Sequence, residues 1–393
     1  MSAGDLTHAR ARLKAVADDL VGDREWGPKL AIVNPPRWEL GHVGWFQEYW
    51  CLRRGNAGSI LPDADRWYNS ATVPHATRWE LPLPPFEATL AYRDAVLERV
   101  LAAAGGGPEE RYFAGLAARH EDMHAEAFHY TRHTLGYTAP SLPLRAQRAG
   151  VPVDGDVAVA GGVFALGAVD DGRWAFDNEK WAHPVVVPPF RMSRTAVSNG
   201  EYRRYVEAGG VPPSCWRHSA HGWEQRKFDQ WLPLADEEPV IHVSCLEAEA
   251  YCRHAGRRLP TELEWEYAAT WDPVTGSKRD NPWGEAPWTP DLANLEGNDV
   301  ASVHAYPGGD SPLGFRQMTG NVWEWTASVF LPYPGFLRDP YKEYSEPWFS
   351  THRVLRGGAF ATSRRIACPT YRNFFTPERS DVFAGFRTCA IET

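Results

Sequence analysis

Four histidines crowd the stretch "RHEDMHAEAFHYTRH", residues 119–133: His120, His124, His129 and His133. Two pairs are four residues apart, the spacing that puts both rings on one face of an α-helix. Imidazoles so spaced can share a metal ion, and three carboxylates (Glu121, Asp122, Glu126) lie among them. On a helical wheel with His120 as origin, His124 lies about 40° away. Phe113, Leu116, Ala117, Ala127 and Thr131 fall near this pair, so this side is mostly apolar and is expected to face a core. His129 and His133 fall opposite, with Asp122 and Glu126, on a side expected to face water.

One inward histidine is ordinarily a core residue with its hydrogen bonds met. Two adjacent inward imidazoles would each need a partner, and a single metal ion supplies both. A third candidate lies in "WELGHVGWFQ", where His42 is flanked by Leu40, Val43, Trp45 and Phe46. Three neutral imidazoles leave coordination positions open, an arrangement suited to catalysis rather than structure. No cysteine lies near, and zinc, iron, copper and nickel all remain compatible with the set.

Two kinds of sequence must position these groups. At 393 residues the chain exceeds one compact core, so two domains are expected. Residues 1–140 read as four helices with one long connection, an up-down bundle. Their segments are "THARARLKAVADDLVGD", "ELGHVGWFQEYWCLRR", "PFEATLAYRDAVLERVLAAA" and "EERYFAGLAARHEDMHAEAFHYTRHTLG". Residues 141–154 read as a linker. From 155 to 393, short β-like runs ("GGVFALGAV", "HPVVVPPFRMSRTAV", "HRVLRGGAFA") alternate with loops rich in Trp and Gly. Only "SCLEAEAYCRHAGR" and "TELEWEYAAT" read as helices there, the second with Thr261 as N-cap and Glu264 three residues on. The fold class expected is multidomain, α then α+β.

Bulk properties exclude several functions. Net charge is −9 with no basic block, so nucleic acid and anionic membrane are poor partners. No apolar run reaches the length of a membrane span, and "MSAGDLTHARARLKAV" lacks the apolar core of a signal peptide, which points to the cytoplasm. The six cysteines are scattered without a C-x-x-C pair and are expected to stay unbridged. A monomer or homodimer is expected.

With the motifs laid out, the chain resembles a known family. "W-x-L-x-H" followed by H-x-x-x-H-x-E is similar to the non-haem iron sulfoxide synthases of ergothioneine and ovothiol biosynthesis. "RLPTELEWEYAA", "GNVWEWT", "RVLRGGAF" and "FAGFRT" resemble the formylglycine-generating-enzyme (sulfatase-modifying-factor) domain. The resemblance implies a DinB-like four-helix bundle followed by a C-type-lectin-like α+β domain. It implies Fe(II) held by His42, His120 and His124, with Glu126 not a ligand. The family uses O2 to join a sulfur donor to C2 of the imidazole of hercynine, Nα-trimethylhistidine. Its second domain closes over the iron and supplies the betaine pocket, which here matches "YRNFFTPERSDVFAGFR", implying substrate contacts from Asn373, Phe374 and Phe375. Aromatic faces suit a trimethylammonium group.

Three departures matter. In "WTASVFLPYPGF" the family's catalytic Tyr and pocket Tyr fall on Phe330 and Tyr333, so the usual acid is missing from its place. The paired cysteines of true formylglycine-generating enzymes are absent; only Cys368 follows "RGGAF". The loop "RWYNSATVPHATRWELPLP" offers Arg66, Arg78 and His75 but no arginine cluster, and Met123 stands where the family often has Gln. A donor poor in carboxylates fits such a loop. The first half resembles the selenoneine-forming branch of the family, which implies a selenosugar donor, with Trp67, Tyr68, Asn69, Arg78 and Trp79 as sugar-binding groups. The alternatives are a thiol donor (γ-glutamylcysteine or cysteine), a zinc-dependent thiol transferase carrying a lectin-like cap, and a binding module whose histidines are core residues. Asn321 and Glu324 of "GNVWEWT" offer oxygens suited to a structural calcium ion.

Overall fold

Proline and glycine punctuate the helices of the first unit. In this computed structural model, which describes residues 3–54, 58–103, 107–142 and 150–391, those helices are α1 (Ala3–Ala17), α2 (Pro36–Glu48), the short α3 (Ala64–Tyr68), α4 (Phe86–Ala103) and α5 (Pro108–Leu135). Pro36 and Pro108 open α2 and α5, where a missing N–H costs nothing. Gly136, at φ +67°, closes α5, its amide donating to the carbonyls of Arg132 and His133. Past Glu48, α2 runs into a π-helical turn, Tyr49–Arg53, that ends on Arg54 in the left-handed region. The chain divides into two compact units, Met1–Leu142 and Pro143–Thr393; positions 143–149 of the expected linker lie outside the described residues.

In the first unit α1 packs on α5 and α2 on α4, with α2 also touching α5. Every residue of α2 except Arg37 is buried, as befits a helix with neighbours on all sides. Leu13, Val16, Leu20, Leu40, Val43, Phe86 and Phe128 form its apolar core. The expectation that His129, His133, Asp122 and Glu126 face water is wrong: all four are buried, His129 to 1% exposure and Asp122 to 0%. The cause is α1, which covers that side of α5 and brings cations with it. Arg12 donates to Asp122 at 2.8 Å, Arg10 binds Glu121, and Arg132 reaches back to Asp19. Charge on a helix face signals solvent only when no opposite charge packs against it.

The second unit is built from small sheets and long ordered loops. One four-stranded sheet has the order Asp156–Val159, Phe190–Ser193, Cys389–Ala390, Arg257–Arg258; another runs Asn373–Phe375, Arg353–Arg356, Trp323–Val329, Ala384–Gly385. Three helices accompany them: α6 (Asn199–Glu207), α7 (Cys245–His254) and α8 (Glu262–Thr270). Helix α6 goes beyond the two expected here. Its signal was a reciprocal cap, Ser198 with Glu201, of the same kind that opens α7 and α8. Trp265, Phe315, Met318 and Tyr267 lie in the core.

That core also holds ion pairs. Glu324 takes Arg387 at 2.6 and 2.7 Å and the Trp265 indole N–H at 2.7 Å. Asn321 is equally engaged: its Oδ1 accepts from Asn294 and the Ala301 amide, and its Nδ2 donates to Gln317 and the Ala301 carbonyl. The calcium expected at these two residues is therefore corrected, because protein donors occupy the oxygens it would need. Among the described residues no helix is long and apolar enough to cross a membrane.

Candidate metal centre

His42 of α2 and His120 and His124 of α5 bring one ring nitrogen each within 4.8 Å of one another. His120 Nε2 lies 3.2 Å from His42 Nε2 and 3.2 Å from His124 Nε2. Two imidazole nitrogens bound to one ion at about 2.1 Å, at angles of about 90–110°, would sit about 3.0–3.4 Å apart, so the spacing fits a shared cation.

The other nitrogens explain the aim. His42 Nδ1 lies 2.7 Å from the Tyr68 carbonyl oxygen and His124 Nδ1 lies 2.6 Å from Glu39 Oε1. Both partners only accept, so each Nδ1 carries the proton and each Nε2 presents a lone pair to the centre. His120 Nε2 can donate to one of those lone pairs and no more. Three converging Nε2 atoms thus hold at most one proton among them, which a metal ion resolves and a purely structural packing does not.

The surroundings keep His42 and His120 neutral, as ligands must be. Burial, then the neighbouring His124, drives the His42 pKa well below its ordinary value. Burial, then His124 and His42, does the same to His120. Trp38 stacks on His42 with centroids 5.0 Å apart, and Phe46 stacks on His120 at 3.6 Å. Tyr68 approaches closely because position 41 has no side chain: a Cβ on Gly41 would lie 2.2 Å from Tyr68 Cε1.

Glu39 and Gly41 are neighbours of the candidate site that reading the sequence missed, and Tyr68, expected at the donor, instead lends its carbonyl to His42. Glu39 and Gly41 sit inside "WELGH" and could have been suspected from proximity to His42; nothing local marks a backbone carbonyl 26 residues away.

The remaining predicted residues divide between the units. In the first, Arg78 lies over the Trp38 ring at 3.8 Å, donating to Asn34 Oδ1 at 2.7 Å and the Val73 carbonyl at 3.3 Å. Its Nε is buried without a hydrogen-bond partner, and burial pushes its pKa down to about 10. Arg66 is exposed and pairs with Asp63. Trp67 is half-buried, and its carbonyl accepts from the Trp38 indole. Tyr68 is fully buried, which corrects its expected role as a sugar platform; Trp79 is half-buried, and its indole donates to the carbonyls of Trp26 and Gly27.

In the second unit Phe330 stacks on Phe374 at 4.1 Å, and Arg372 lies over both Phe330 (5.0 Å) and Tyr333 (4.0 Å). Tyr333 is buried; its hydroxyl lies 3.4 Å from Glu262 Oε2 and 3.2 Å from Arg356 Nη2, and burial raises its pKa. Phe375 lies under Arg379 at 4.5 Å, and Asn373 Oδ1 accepts from the Phe374 amide.

Comparison with known proteins gives this geometry a context. Residues 5–134 match the DinB superfamily, and residues 141–392 match the sulfatase-modifying factor enzyme 1-like domain. A hercynine oxygenase of Mycolicibacterium smegmatis is 38% identical, covering 98% of this chain and 97% of its own. One from Mycobacterium tuberculosis is also 38% identical, covering 97% and 96%. A formylglycine-generating enzyme of Streptomyces coelicolor is 32% identical over 60% of this chain and 88% of its own.

Proposed function

The chain belongs to the hercynine oxygenase family, and on that premise we propose that it is an Fe(II)- and O2-dependent synthase joining a chalcogen donor to C2 of the hercynine imidazole. The observation that carries the reading is the convergence of three Nε2 atoms, two of them locked as lone-pair donors. A bound iron would supply O2 chemistry and a positive charge that keeps a thiol or selenol ionised; zinc has no redox chemistry to offer.

The chain's own groups do the rest. His42, His120 and His124 would hold the ion, and Glu39 and the Tyr68 carbonyl orient two of them. Trp38 and Phe46 wall the rings from water. Arg78, stacked on Trp38, offers a guanidinium charge to an anionic substrate group. We assign Asn373, Phe374 and Phe375 to hercynine, the aromatic faces suiting its trimethylammonium, and Trp67 to the donor. Phe330 carries no acidic proton, so any proton supplied by that loop is assigned to the phenol of Tyr333.

For the donor, the reading is a selenosugar. Its support is that Arg66 turns to solvent, which leaves Arg78 as the loop's one inward guanidinium where a dicarboxylate donor would need several. A thiol donor, γ-glutamylcysteine or cysteine, is the second reading, favoured by the Arg78 guanidinium, which has no carboxylate partner among the described residues and suits one carboxylate.

The test is product mass from hercynine, iron and O2 with either a 1-selenosugar or γ-glutamylcysteine. Turnover with the thiol alone retires selenium. Absence of O2 uptake with hercynine and either donor retires the synthase. Activity that survives without O2, with zinc bound, moves the protein to a thiol transferase.

A further inference from the structure

Two indoles flank His42 in opposite electrostatic settings. Trp38 stacks on it at 5.0 Å, and over the Trp38 ring at 3.8 Å lies the Arg78 guanidinium, which has no carboxylate within ion-pair distance among the described residues. Trp45 stacks on it at 5.9 Å, and its indole Nε1–H donates to Asp65 Oδ1 at 2.6 Å.

Around Trp45 the charge is negative. Asp65 takes both Nη atoms of Arg53, at 3.0 and 2.7 Å, and Glu48 adds a second carboxylate 3.8 Å from Arg53 Nε. One cation thus faces two carboxylates; the same Arg53 lies over the Tyr49 ring at 5.4 Å, with those carboxylates offsetting its charge there too. An indole that loses an electron becomes a cation, so the surroundings disfavour oxidation of Trp38 and favour it at Trp45.

From Trp45 the aromatic contacts run outward. Trp45 meets Tyr49 at 5.2 Å, and Tyr49 meets Trp50 at 5.1 Å. Trp45 is 5% exposed, whereas Tyr49 and Trp50 are half-buried on the π turn, where solutes can reach them. Aromatic residues at helical spacing usually only pack a core. Here the row starts on a candidate metal ligand, passes an indole hydrogen-bonded to a carboxylate and ends at partly open rings.

We propose that Trp45 and Tyr49 form an electron relay that drains oxidising equivalents from the three-histidine site when O2 is consumed without substrate. The inference rests on the proposed O2-dependent reading. The balance is one electron at a time. Trp45 gives an electron inward through His42, and its Nε1 proton leans on Asp65. Tyr49 then reduces Trp45 and releases its phenol proton to water. A thiol in solution returns one hydrogen atom to the Tyr49 oxygen, and two thiyl radicals couple to a disulfide. Four such passes deliver four electrons, and water returns the four protons to the site, so that O2 and four thiols become two waters and two disulfides with the protein unchanged.

The test uses the full-length, iron-loaded protein under O2 with a thiol reductant and no hercynine. Three readouts are followed: O2 uptake, aromatic radicals by electron paramagnetic resonance, and oxygen additions to each residue by peptide mass spectrometry. The wild type is expected to show a radical on Trp45 or Tyr49, oxidation marks at Trp45, Tyr49 or Trp50, and little at Trp38. Trp45→Phe should lose that radical, shift damage to His42, Trp38 and Phe46, and inactivate several-fold faster. Iron content and the melting curve of Trp45→Phe confirm that the variant folds and loads; Tyr49→Phe, altered at a half-buried position, repeats the test should it not. Equal inactivation rates in wild type and both variants, or marks concentrated on Trp38, overturn the relay. If the wild type takes up no O2 under any condition, the synthase reading falls and the relay with it.

Discussion

The ring of Tyr68 fills the space that a side chain on Gly41 would need, and the same residue's carbonyl oxygen holds His42 Nδ1 at 2.7 Å. A glycine one position before a candidate ligand thereby sets the tautomer of that ligand. Gly41→Ala is expected to push Tyr68 away, free His42 to rotate, and cost about 1–3 kcal/mol through overpacking. Gly44→Ala provides the comparison, since its Cβ would meet Arg93 Cα at 3.0 Å, away from the imidazoles. Both variants should melt earlier. Iron titration should show weakened binding in Gly41→Ala alone; equal affinities would mean the Tyr68 carbonyl has no part in holding His42.

Glu39 is the counterpart for His124. A carboxylate on the far nitrogen of a ligand imidazole orients the ring and strengthens it as a donor, and losing it typically costs about 10–100-fold in metal affinity. Glu39→Gln keeps size and one acceptor but removes the charge. It should bind Fe(II) or Co(II) more weakly by that factor in a chelator competition, while His124→Ala should abolish stoichiometric binding. If Glu39→Gln binds as tightly as wild type, the short contact with His124 has no bearing on the ion.

These cases show what could be read before the fold was known. The inward pair His120 and His124 and the companion His42 were legible because helical period and apolar neighbours report a face directly. The opposite face was misread because Asp122, Glu126, His129 and His133 look solvated until α1 is placed over them, with Arg10 and Arg12 as counter-charges. Pairing between distant helices is not written in the local pattern. The Tyr68 carbonyl belongs to the same class, a backbone group presented by a loop. In the second unit, Asn321 and Glu324 suggested a cation only because their partners, Arg387, Asn294 and Gln317, lie far along the chain or in irregular loops.

His242 supplies a pH dependence. It is buried in the second unit on a left-handed backbone (φ +61°), and burial lowers its pKa to about 4 despite the opposing Asp381 charge. A histidine whose folded pKa lies below its unfolded value near 6.5 stabilises the fold above pH 6.5, and the contribution is lost as pH falls through 4. A difference of that size corresponds to about 3 kcal/mol. His242→Asn tolerates the backbone and does not titrate, so its melting temperature should fall less between pH 7 and pH 4.5 than that of the wild type. Parallel curves would show that the ring is not held neutral.

Arg78 separates the two donors by its own chemistry. Its guanidinium stacks on Trp38, spends two nitrogens on Asn34 and Val73, and leaves Nε unbound. With its pKa pushed down to about 10, it stays cationic at neutral pH and loses charge only as pH rises through that value. Arg78→Met removes the charge and keeps apolar contact with the indole. A charge-assisted hydrogen bond is worth about 1.5–3 kcal/mol, roughly 10–100-fold in KM for a carboxylate-bearing thiol. A selenosugar, neutral apart from its selenolate, should lose only a few-fold. Arg78→Lys sharpens the comparison, because a lysine restores the charge without the planar fork or the stacking. If Lys rescues the KM of the donor, charge alone is being read; if it does not, the planar guanidinium stacked on Trp38 is the recognising group. An unchanged KM in both variants, for either donor, would remove Arg78 from the donor site altogether.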